Sequence, residues 1–358
     1  LQLGILFAVL YGLVSLFGAS RLIGFFKLNS PEVIAQAEWY VRIACGLVIF
    51  SYLNAILTGL LTAAGNSRTP FIVNVAGLVF NVVLDPVLIF GIGPFPELGV
   101  SGAAAATVTA QALVSLLFFK AVLREKVLFP HLRLWVLVPV KVWREIVRIG
   151  VPSAVQNLIY AGISMILTRL ITGWGDLAVA AQRVGSQIES VSWMVGDGFS
   201  AAVNAFLGQN YGAKRYDRVR RGYFCAIAMT AAWGLCTTFL LIGMARPLFS
   251  IFLQEEEVMA IGVNYLRIVG LSQMFMMVEQ TSIGAFSGLG RTLYPSIISV
   301  TFTSARIPVA VLLSSVMGLS GIWWALSISS MVKGCILFVS FVVFLYVFLE
   351  RKKDEKTV

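Results

Sequence analysis

Three polar side chains share one face of a long apolar segment, and one of them is a carboxylate. Within the run 65–90, Asn74, Asn81 and Asp85 are spaced seven and four residues apart, so a helix brings them to the same side. A carboxylate in hydrocarbon costs about 3 kcal/mol or more, so Asp85 should face a cavity or a partner. Pro86 follows at once, removes a backbone donor and is expected to bend the helix beside the carboxylate.

Two interpretations of Asp85 follow from these residues. Apolar surroundings favour the neutral form of a carboxyl group, which suits a residue that binds and releases a proton. Asp85 lies sixteen residues beyond Thr69, or about 24 Å along a helix, which places it in the outer part of a bilayer. We therefore interpret it as a titrating centre. The alternative is a buried Asp that only bonds to a neighbouring helix.

The composition of the chain makes lipid the solvent for most of it. Of the 358 residues, 58% are hydrophobic and 12% are charged, with a mean hydropathy of +0.88; a soluble domain carries about twice that charged fraction. The net charge of +10 comes from basic residues in short loops, which sets topology in membranes and does not indicate nucleic-acid binding. The four cysteines are scattered and the single histidine, His131, lies in a connector, so neither a metal site nor a cofactor is predicted.

Ten segments are long and apolar enough to cross a bilayer as helices. They are residues 2–24, 40–64, 69–91, 101–122, 149–172, 177–210, 223–248, 260–287, 294–317 and 320–349. Placing the basic loops in the cytoplasm gives a consistent alternation, with Leu1 inside and the acidic loop 255–257 outside. The sequence therefore predicts an all-α integral membrane protein that crosses a cell membrane several times.

Residues recur between the two parts of the chain at a nearly constant offset. Six residues between Arg21 and Ile43 recur 225 positions later, and GNSRT at Gly65 recurs as GLGRT at Gly288. The chain is therefore predicted to contain two homologous helical bundles. The predicted parts are an N-terminal lobe of four helices at 1–122, a cytoplasmic amphipathic linker at 123–148, a C-terminal lobe of six helices at 149–350, and a cytoplasmic tail at 351–358. Since the first two spans of the second half have no counterparts, the repeat predicts a six-plus-six parent whose first two helices precede residue 1.

Other polar residues inside the predicted spans are candidates for a substrate cavity. Arg306 lies within the ninth span, and a buried Arg needs a partner, which Glu189 or Glu279 could supply. A structural ion pair of that kind is the alternative to a substrate contact. Amides could bond to substrate, but bonding between helices is their commoner use in lipid. The candidates are Asn54, Asn74, Gln156, Asn157, Gln187, Glu279 and Arg306.

Several stretches together resemble the multidrug and toxic compound extrusion (MATE) family of efflux antiporters. They are NVVLDPVLIFG at 81–91, GVPSAVQNL at 150–158, and AAQRVGSQIESVSWM with FLGQNYGAKRYDRVRRGY within 180–223. The resemblance covers the whole chain, from the third helix of that family to its twelfth. It implies a V-shaped pair of six-helix bundles around a central cavity, which alternates between inward- and outward-facing states.

The resemblance also implies roles for particular residues. Asp85 matches the carboxylate on the fifth helix of the family, Asn81 the amide one turn before it, and Tyr40 the tyrosine that faces them. A second coupling Asp of the proton-driven branch lies on the first helix, before the part of the family that this chain matches. The sodium-linked branch has a Glu on its seventh helix where this chain has Tyr160. The resemblance therefore favours protons over sodium as the coupling ion.

The sequence thus predicts a secondary active antiporter, a monomer in the prokaryotic cytoplasmic membrane, that exports amphipathic organic cations in exchange for protons or sodium. The alternative is a lipid-linked saccharide flippase, or another flippase of the same wider superfamily, which would line its cavity with several cationic residues. Here the Arg residues within the spans are scattered. An enzyme is not predicted, because it would need a nucleophile–base pair or a metal cluster.

Overall fold

The computed structural model describes residues 1–24, 30–124 and 139–349, and every regular element in these ranges is helical. The chain divides into two compact units, Leu1–Val138 and Pro139–Val358. Each unit therefore has a core of its own, and the unit boundary falls inside the linker that the sequence predicts.

The predicted linker at 123–148 does not form a separate element, because its described ends belong to helices of the two units. Its first two residues end the last helix of the N-terminal unit, and residues 140–148 open the first helix of the C-terminal unit. Residues 125–138 lie outside the described part of the chain, as does the predicted tail. The amphipathic segment VWREIVRI thus continues without a break into the membrane-length helix that follows it.

The N-terminal unit contains five described helices. They are α1 (Gln2–Gly24), α2 (Pro31–Ala44), α3 (Ile49–Ala63), α4 (Arg68–Phe90) and α5 (Gly99–Arg124). The predicted spans at 2–24, 69–91 and 101–122 are confirmed as α1, α4 and α5. The predicted span at 40–64 is instead a pair of helices, α2 and α3, which meet at a bend of 43°.

A close helix contact accompanies the bend between α2 and α3. A side chain added at Gly46, within the break, would collide with the backbone of Arg42 and with Leu16 of α1. A side chain added at Gly12 of α1 would collide with the carbonyl of Gly46. The two backbones therefore touch at a point where only glycine fits.

The core of the N-terminal unit lies between α3, α4 and α5. It consists of buried apolar side chains from the three helices: Leu57, Leu61, Val73, Val114 and Phe118. Elsewhere on α4, Val82 and Val83 are each 62% exposed. Large exposed valines on an apolar helix suit contact with lipid rather than with water.

The C-terminal unit contains nine described α-helices and a closing π-helical turn at Leu345–Leu349. The α-helices are α6 (Val140–Thr172), α7 (Asp176–Gly212), α8 (Tyr216–Gly243), α9 (Ala245–Ser250), α10 (Glu256–Gly270), α11 (Gln273–Gly288), α12 (Leu293–Ser304), α13 (Arg306–Met317) and α14 (Leu319–Phe344). The predicted span at 260–287 is again a bent pair, since α10 and α11 meet at 50°.

Helix α11 forms the centre of the C-terminal unit, packed against α7, α8 and α14. Gly284 and Gly288, four residues apart on α11, face Ser200 and Asn204, which have the same spacing on α7. A side chain added at either glycine would collide with the backbone of α7. Small residues at this spacing allow two helices in lipid to pack with their backbones in contact.

The described helices meet the requirement for a protein that crosses a membrane repeatedly. Six single helices, together with α12 and α13 taken as one segment (Leu293–Met317), are long and apolar enough to span. That gives seven spans, or up to nine if each bent pair is one span. Helix α7, which corresponds to the remaining predicted span, has 37 residues but is too polar to be counted among them. The all-helical integral membrane fold predicted from the sequence is confirmed.

Candidate functional site

Asp85 and Asn81 form a polar pair on α4. The Nδ2 of Asn81 donates to Oδ1 of Asp85 at 3.2 Å, and both side chains are half-buried. Helix α4 continues through Pro86 to Phe90 without a break. Two bends of more than 40° lie at breaks between helices, one between α2 and α3 and the other between α10 and α11.

The bonding of Asp85 leaves room for a ligand. Within the described residues, the amide of Asn81 is the one group that donates a hydrogen bond to this carboxylate. A carboxylate with two oxygens has about four acceptor positions, so most of them stay open. Asp85 therefore keeps acceptor positions open beside its bond to Asn81.

Tyr40 and Asn74 do not join this pair. Tyr40 is 39% exposed on α2, a helix that packs on α1 and α5, and its hydroxyl makes no hydrogen bond to a described residue. Asn74 is exposed and donates to Oγ1 of Thr58 on α3 at 3.2 Å. In this structure Asn74 therefore links two helices, which is the commoner use of an amide in lipid.

Asn54 is buried in the N-terminal unit and hydrogen-bonded to its other residues. It is 4% exposed, and its Nδ2 donates to the backbone carbonyl and Oε1 of Gln111 at 2.9 and 2.8 Å. Its Oδ1 accepts from Ser115 at 2.8 Å. Three bonds to α5 leave little capacity for substrate, so Asn54 stabilises the contact between α3 and α5.

Three candidate amides in the C-terminal unit have free polar groups. Gln156 is half-buried on α6, while Asn157 on α6 and Gln187 on α7 are exposed. None of these three side chains hydrogen-bonds to another residue in the described part of the unit. They are the candidates with unoccupied donors and acceptors.

The predicted pairing of Arg306 with Glu189 or Glu279 is wrong in this structure. Arg306 is 7% exposed, and its Nε and Nη2 donate to the hydroxyl oxygens of Ser329 and Ser330 on α14 at 3.1 and 3.0 Å. Two consecutive serines satisfy the guanidinium, so it does not need direct contact with a carboxylate.

Glu279 has a different cationic partner, Lys333. The Nζ of Lys333 lies 2.7 Å from Oε1 of Glu279, with side-chain exposures of only 6% and 9%. Lys333 lies near the middle of α14, one turn beyond the serines that hold Arg306. A lysine within an apolar span is itself a sign of such a pair, and Lys333 is not among the site residues predicted from the sequence.

Glu189 on α7 is held by two donors from the bent pair. The hydroxyl of Tyr265 on α10 donates to Oε2 at 3.0 Å, and Nε2 of Gln273 on α11 donates to Oε1 at 3.0 Å. The sequence suggested Glu189 as a partner for Arg306. The two groups interact electrostatically, but no hydrogen bond joins them in the described chain.

These residues form one charged cluster, which we call the C-terminal cluster: Glu189, Glu279, Arg306 and Lys333, with Tyr160, Tyr265 and Gln273. Tyr160 on α6 has its ring 6.0 Å from the Cζ of Arg306. Two carboxylates and two cations sum to zero when all are ionised. Ionisable residues that face the inside of a helical bundle mark ion or substrate pathways in membrane proteins.

The described helices are long enough to cross a membrane, and ionisable residues lie between them. These features define the chain as a multi-pass membrane protein of the transporter class. The chain belongs to the MatE family, whose model matches residues 1–87 and 152–312. The resemblance drawn from the sequence motifs is thereby confirmed, and the family is one of multidrug and toxin efflux transporters rather than enzymes.

Individual relatives agree with this assignment. The chain is 32% identical over 317 residues to the "Probable multidrug resistance protein NorM" of Thermotoga maritima, which covers 84% of the chain and 66% of that relative. It is 28% identical over 328 residues to the "Probable multidrug resistance protein YoeA" of Bacillus subtilis, covering 90% and 70%. The chain thus spans just under two thirds of the length of the Thermotoga relative.

The fold also matches a solved MATE structure. A MATE protein crystallised in what is described as its straight conformation superimposes with a TM-score of 0.88 at 21% identity, covering 98% of this chain and 78% of that one. At this identity the likeness concerns the fold, which is the helical architecture described above.

Proposed function

We propose that this chain exports amphipathic organic cations across a prokaryotic cytoplasmic membrane in exchange for protons, by alternating access, with Asp85 as the proton-binding carboxylate of the N-terminal unit. The observation that carries the proposal is the Asn81–Asp85 pair. A half-buried carboxylate on an apolar helix, bonded to one amide and otherwise open, can exchange a proton for a cationic ligand. Membership of the MatE family supports the same conclusion.

The surroundings of Tyr160 support protons rather than sodium as the coupling ion. Tyr160 occupies the position at which the sodium-linked branch of the family carries a Glu. Its ring lies 6.0 Å from the Cζ of Arg306. The phenol of Tyr160 is neutral and supplies no negative charge to hold a sodium ion, and the guanidinium beside it supplies none either.

The three amides with free polar groups are the substrate contacts that we favour. Gln156, Asn157 and Gln187 can each offer a donor and an acceptor. Asn54, Asn74, Glu279 and Arg306 are engaged with other residues of their own units, so contact with substrate would require those bonds to break.

The charges of the C-terminal cluster argue against the flippase alternative. A site for an anionic lipid-linked saccharide needs cations that are not already neutralised. Lys333 is paired with Glu279, which leaves Arg306 as the one described cation of this cluster without a hydrogen-bonded carboxylate. One uncompensated cation is fewer than such a substrate would need.

The proposal is tested by ethidium transport into everted membrane vesicles energised with a proton gradient. Because the chain spans 66% of the Thermotoga maritima relative, the assay is run on the chain itself and on the chain preceded by the N-terminal segment of that relative. We expect transport driven by the gradient, and we expect Asp85→Asn to abolish it, because the amide keeps the shape of the carboxylate but cannot titrate.

Asp197→Asn is the matched control, since Asp197 is exposed and makes no hydrogen bond to a described residue. It should transport like the unchanged chain. If neither version of the chain transports ethidium, or if Asp85→Asn keeps full transport, the proposed function is wrong. If transport follows a sodium gradient at constant pH, the choice of coupling ion is wrong.

A further inference from the structure

Glu189 connects the two arms of a bent span. Tyr265 lies on α10, before the bend, and Gln273 is the first residue of α11, after it. Each donates a hydrogen bond of 3.0 Å to a different oxygen of the Glu189 carboxylate. The arms meet at 50°, so the carboxylate on α7 holds both sides of this bend in place.

One atom beside this carboxylate has no partner. Gln273 is fully buried, and its Oε1 makes no hydrogen bond, while its Nε2 donates to Glu189. An unpaired buried acceptor is unfavourable, because it has given up its hydrogen bonds to water without gaining a new one. A carboxyl group that carries a proton becomes a donor, and Oε1 of Gln273 is an acceptor that it can reach after rotation of the amide.

The two protonation states of Glu189 therefore have different bonding. The ionised form accepts from both Tyr265 and Gln273, as the structure shows. The neutral form donates to Gln273 and is a weaker acceptor for Tyr265, because a charge-assisted hydrogen bond is about twice as strong as a neutral one. The bond to α10 is thus the one that weakens when Glu189 binds a proton.

The charged groups around Glu189 also change with its protonation. The elements that surround it contribute Tyr160 from α6, Glu279 from α11, Arg306 from α13 and Lys333 from α14. Glu279 and Lys333 neutralise each other. Among the described residues, Arg306 is the charged group that interacts electrostatically with Glu189. The charged residues of α8 lie in its first two turns, at 217–221, and Arg246 of α9 pairs with Glu256. An ionised Glu189 balances Arg306, whereas a protonated one leaves a net positive charge.

The internal repeat gives Tyr265 and its bent span a counterpart in the N-terminal unit. Tyr265 is the repeat counterpart of Tyr40, 225 residues earlier. Each tyrosine lies on the first arm of a bent span, with bends of 43° in the N-terminal unit and 50° in the C-terminal unit. Glu189 is half-buried, so its carboxylate is not fully enclosed by the unit.

We propose that Glu189 is a second proton-binding site, lying in the C-terminal unit and separate from Asp85, and that a proton on Glu189 loosens the bend between α10 and α11. The proton comes from solvent and adds to one carboxylate oxygen, so no other reactant is needed. The proposal concerns proton binding and local structure, and it holds or fails independently of whether the chain exports organic cations.

The test is hydrogen–deuterium exchange of the purified full chain in lipid nanodiscs, compared across about pH 5 to 8 after correction for intrinsic exchange. In the unchanged chain, we expect peptides that span the bend at 266–276 to exchange faster at acid pH, because local opening governs exchange. In Glu189→Gln the same peptides should exchange at the acid rate at both pH values. In Asp197→Asn, a carboxylate change on the same helix, the pH response should be retained.

A second readout separates proton binding from damage to the fold. Infrared difference spectra on acidification should show a carboxylic-acid carbonyl band that loses intensity in Glu189→Gln and keeps it in Tyr265→Phe. A pH response of the 266–276 peptides that persists unchanged in Glu189→Gln overturns the proposal, as does an unchanged infrared band. Exchange at the bend that follows sodium at constant pH, and not pH at constant sodium, overturns the assignment of the proton as the ligand.

Discussion

The ion pair between Lys333 and Glu279 should be among the most important single contacts for the stability of the C-terminal unit. Its atoms are 2.7 Å apart, and its side chains are 6% and 9% exposed. Removing one partner of such a pair leaves an unpaired buried charge, which costs about 3–5 kcal/mol. For a unit of this size, about 2–4 °C of Tm corresponds to 1 kcal/mol. Glu279→Met or Lys333→Met should therefore lower Tm by about 6–20 °C.

The double variant distinguishes a charge effect from loss of packing. Because replacing both members of a buried pair by apolar side chains is often neutral or stabilising, Glu279→Met combined with Lys333→Met should recover most of the lost Tm. The two single effects should therefore be far from additive. Tm is measured by intrinsic tryptophan fluorescence of the purified chain during heating, at constant lipid and detergent composition.

A surface ion pair of nearly the same length serves as the control. Arg246 and Glu256 are 2.6 Å apart but 66% and 73% exposed, so Glu256→Met should change stability by no more than about 1 kcal/mol. Buried single variants that lower Tm no more than this control would contradict a stabilising role of the buried pair. A double variant as unstable as the sum of the single ones would show that the losses come from packing and not from charge.

Two further changes test the packing of each unit. Gly288→Leu should lower Tm strongly, because any side chain at this position collides with the backbone of Asn204 on α7. The control is Gly162→Ala, where the added side chain meets nothing within 4 Å, and it should be neutral or stabilising by up to about 1 kcal/mol. Equal effects of the two variants would contradict the close helix contact. Asn54→Leu should cost about 1–3 kcal/mol, because it leaves the buried Ser115 and the half-buried Gln111 without their partner. An increase in Tm would show that these bonds do not stabilise the N-terminal unit.

The positions of the helices could be predicted because hydropathy and length decide which segments cross a bilayer. The bends could not be predicted in the same way. Neither break contains a proline: the first covers Cys45–Val48 and the second Leu271–Ser272. The break at Gly46 is associated with contact to another helix, which a single segment does not reveal. Pro86, which the sequence marks as a bend, lies within a continuous helix.

The candidate site was predicted in part. The contact between Asn81 and Asp85 follows directly from helical spacing. The partners in the C-terminal cluster depend on how six helices are arranged, and composition does not fix that arrangement. Glu279 could in principle pair with Arg306, but Ser329 and Ser330 satisfy the guanidinium and leave Glu279 to Lys333. Lys333 within a span was the sequence signal that could have identified this pair.

In the proposed exchange, a proton and a cationic substrate compete for Asp85. Proton release is measured as ethidium is added to the purified chain in weakly buffered solution. We expect the unchanged chain and Asp197→Asn to release protons as ethidium binds, and Asp85→Asn to release fewer at the same occupancy. Ethidium binding without proton release, or equal release from Asp85→Asn, would contradict the exchange of a proton for a cation at this site.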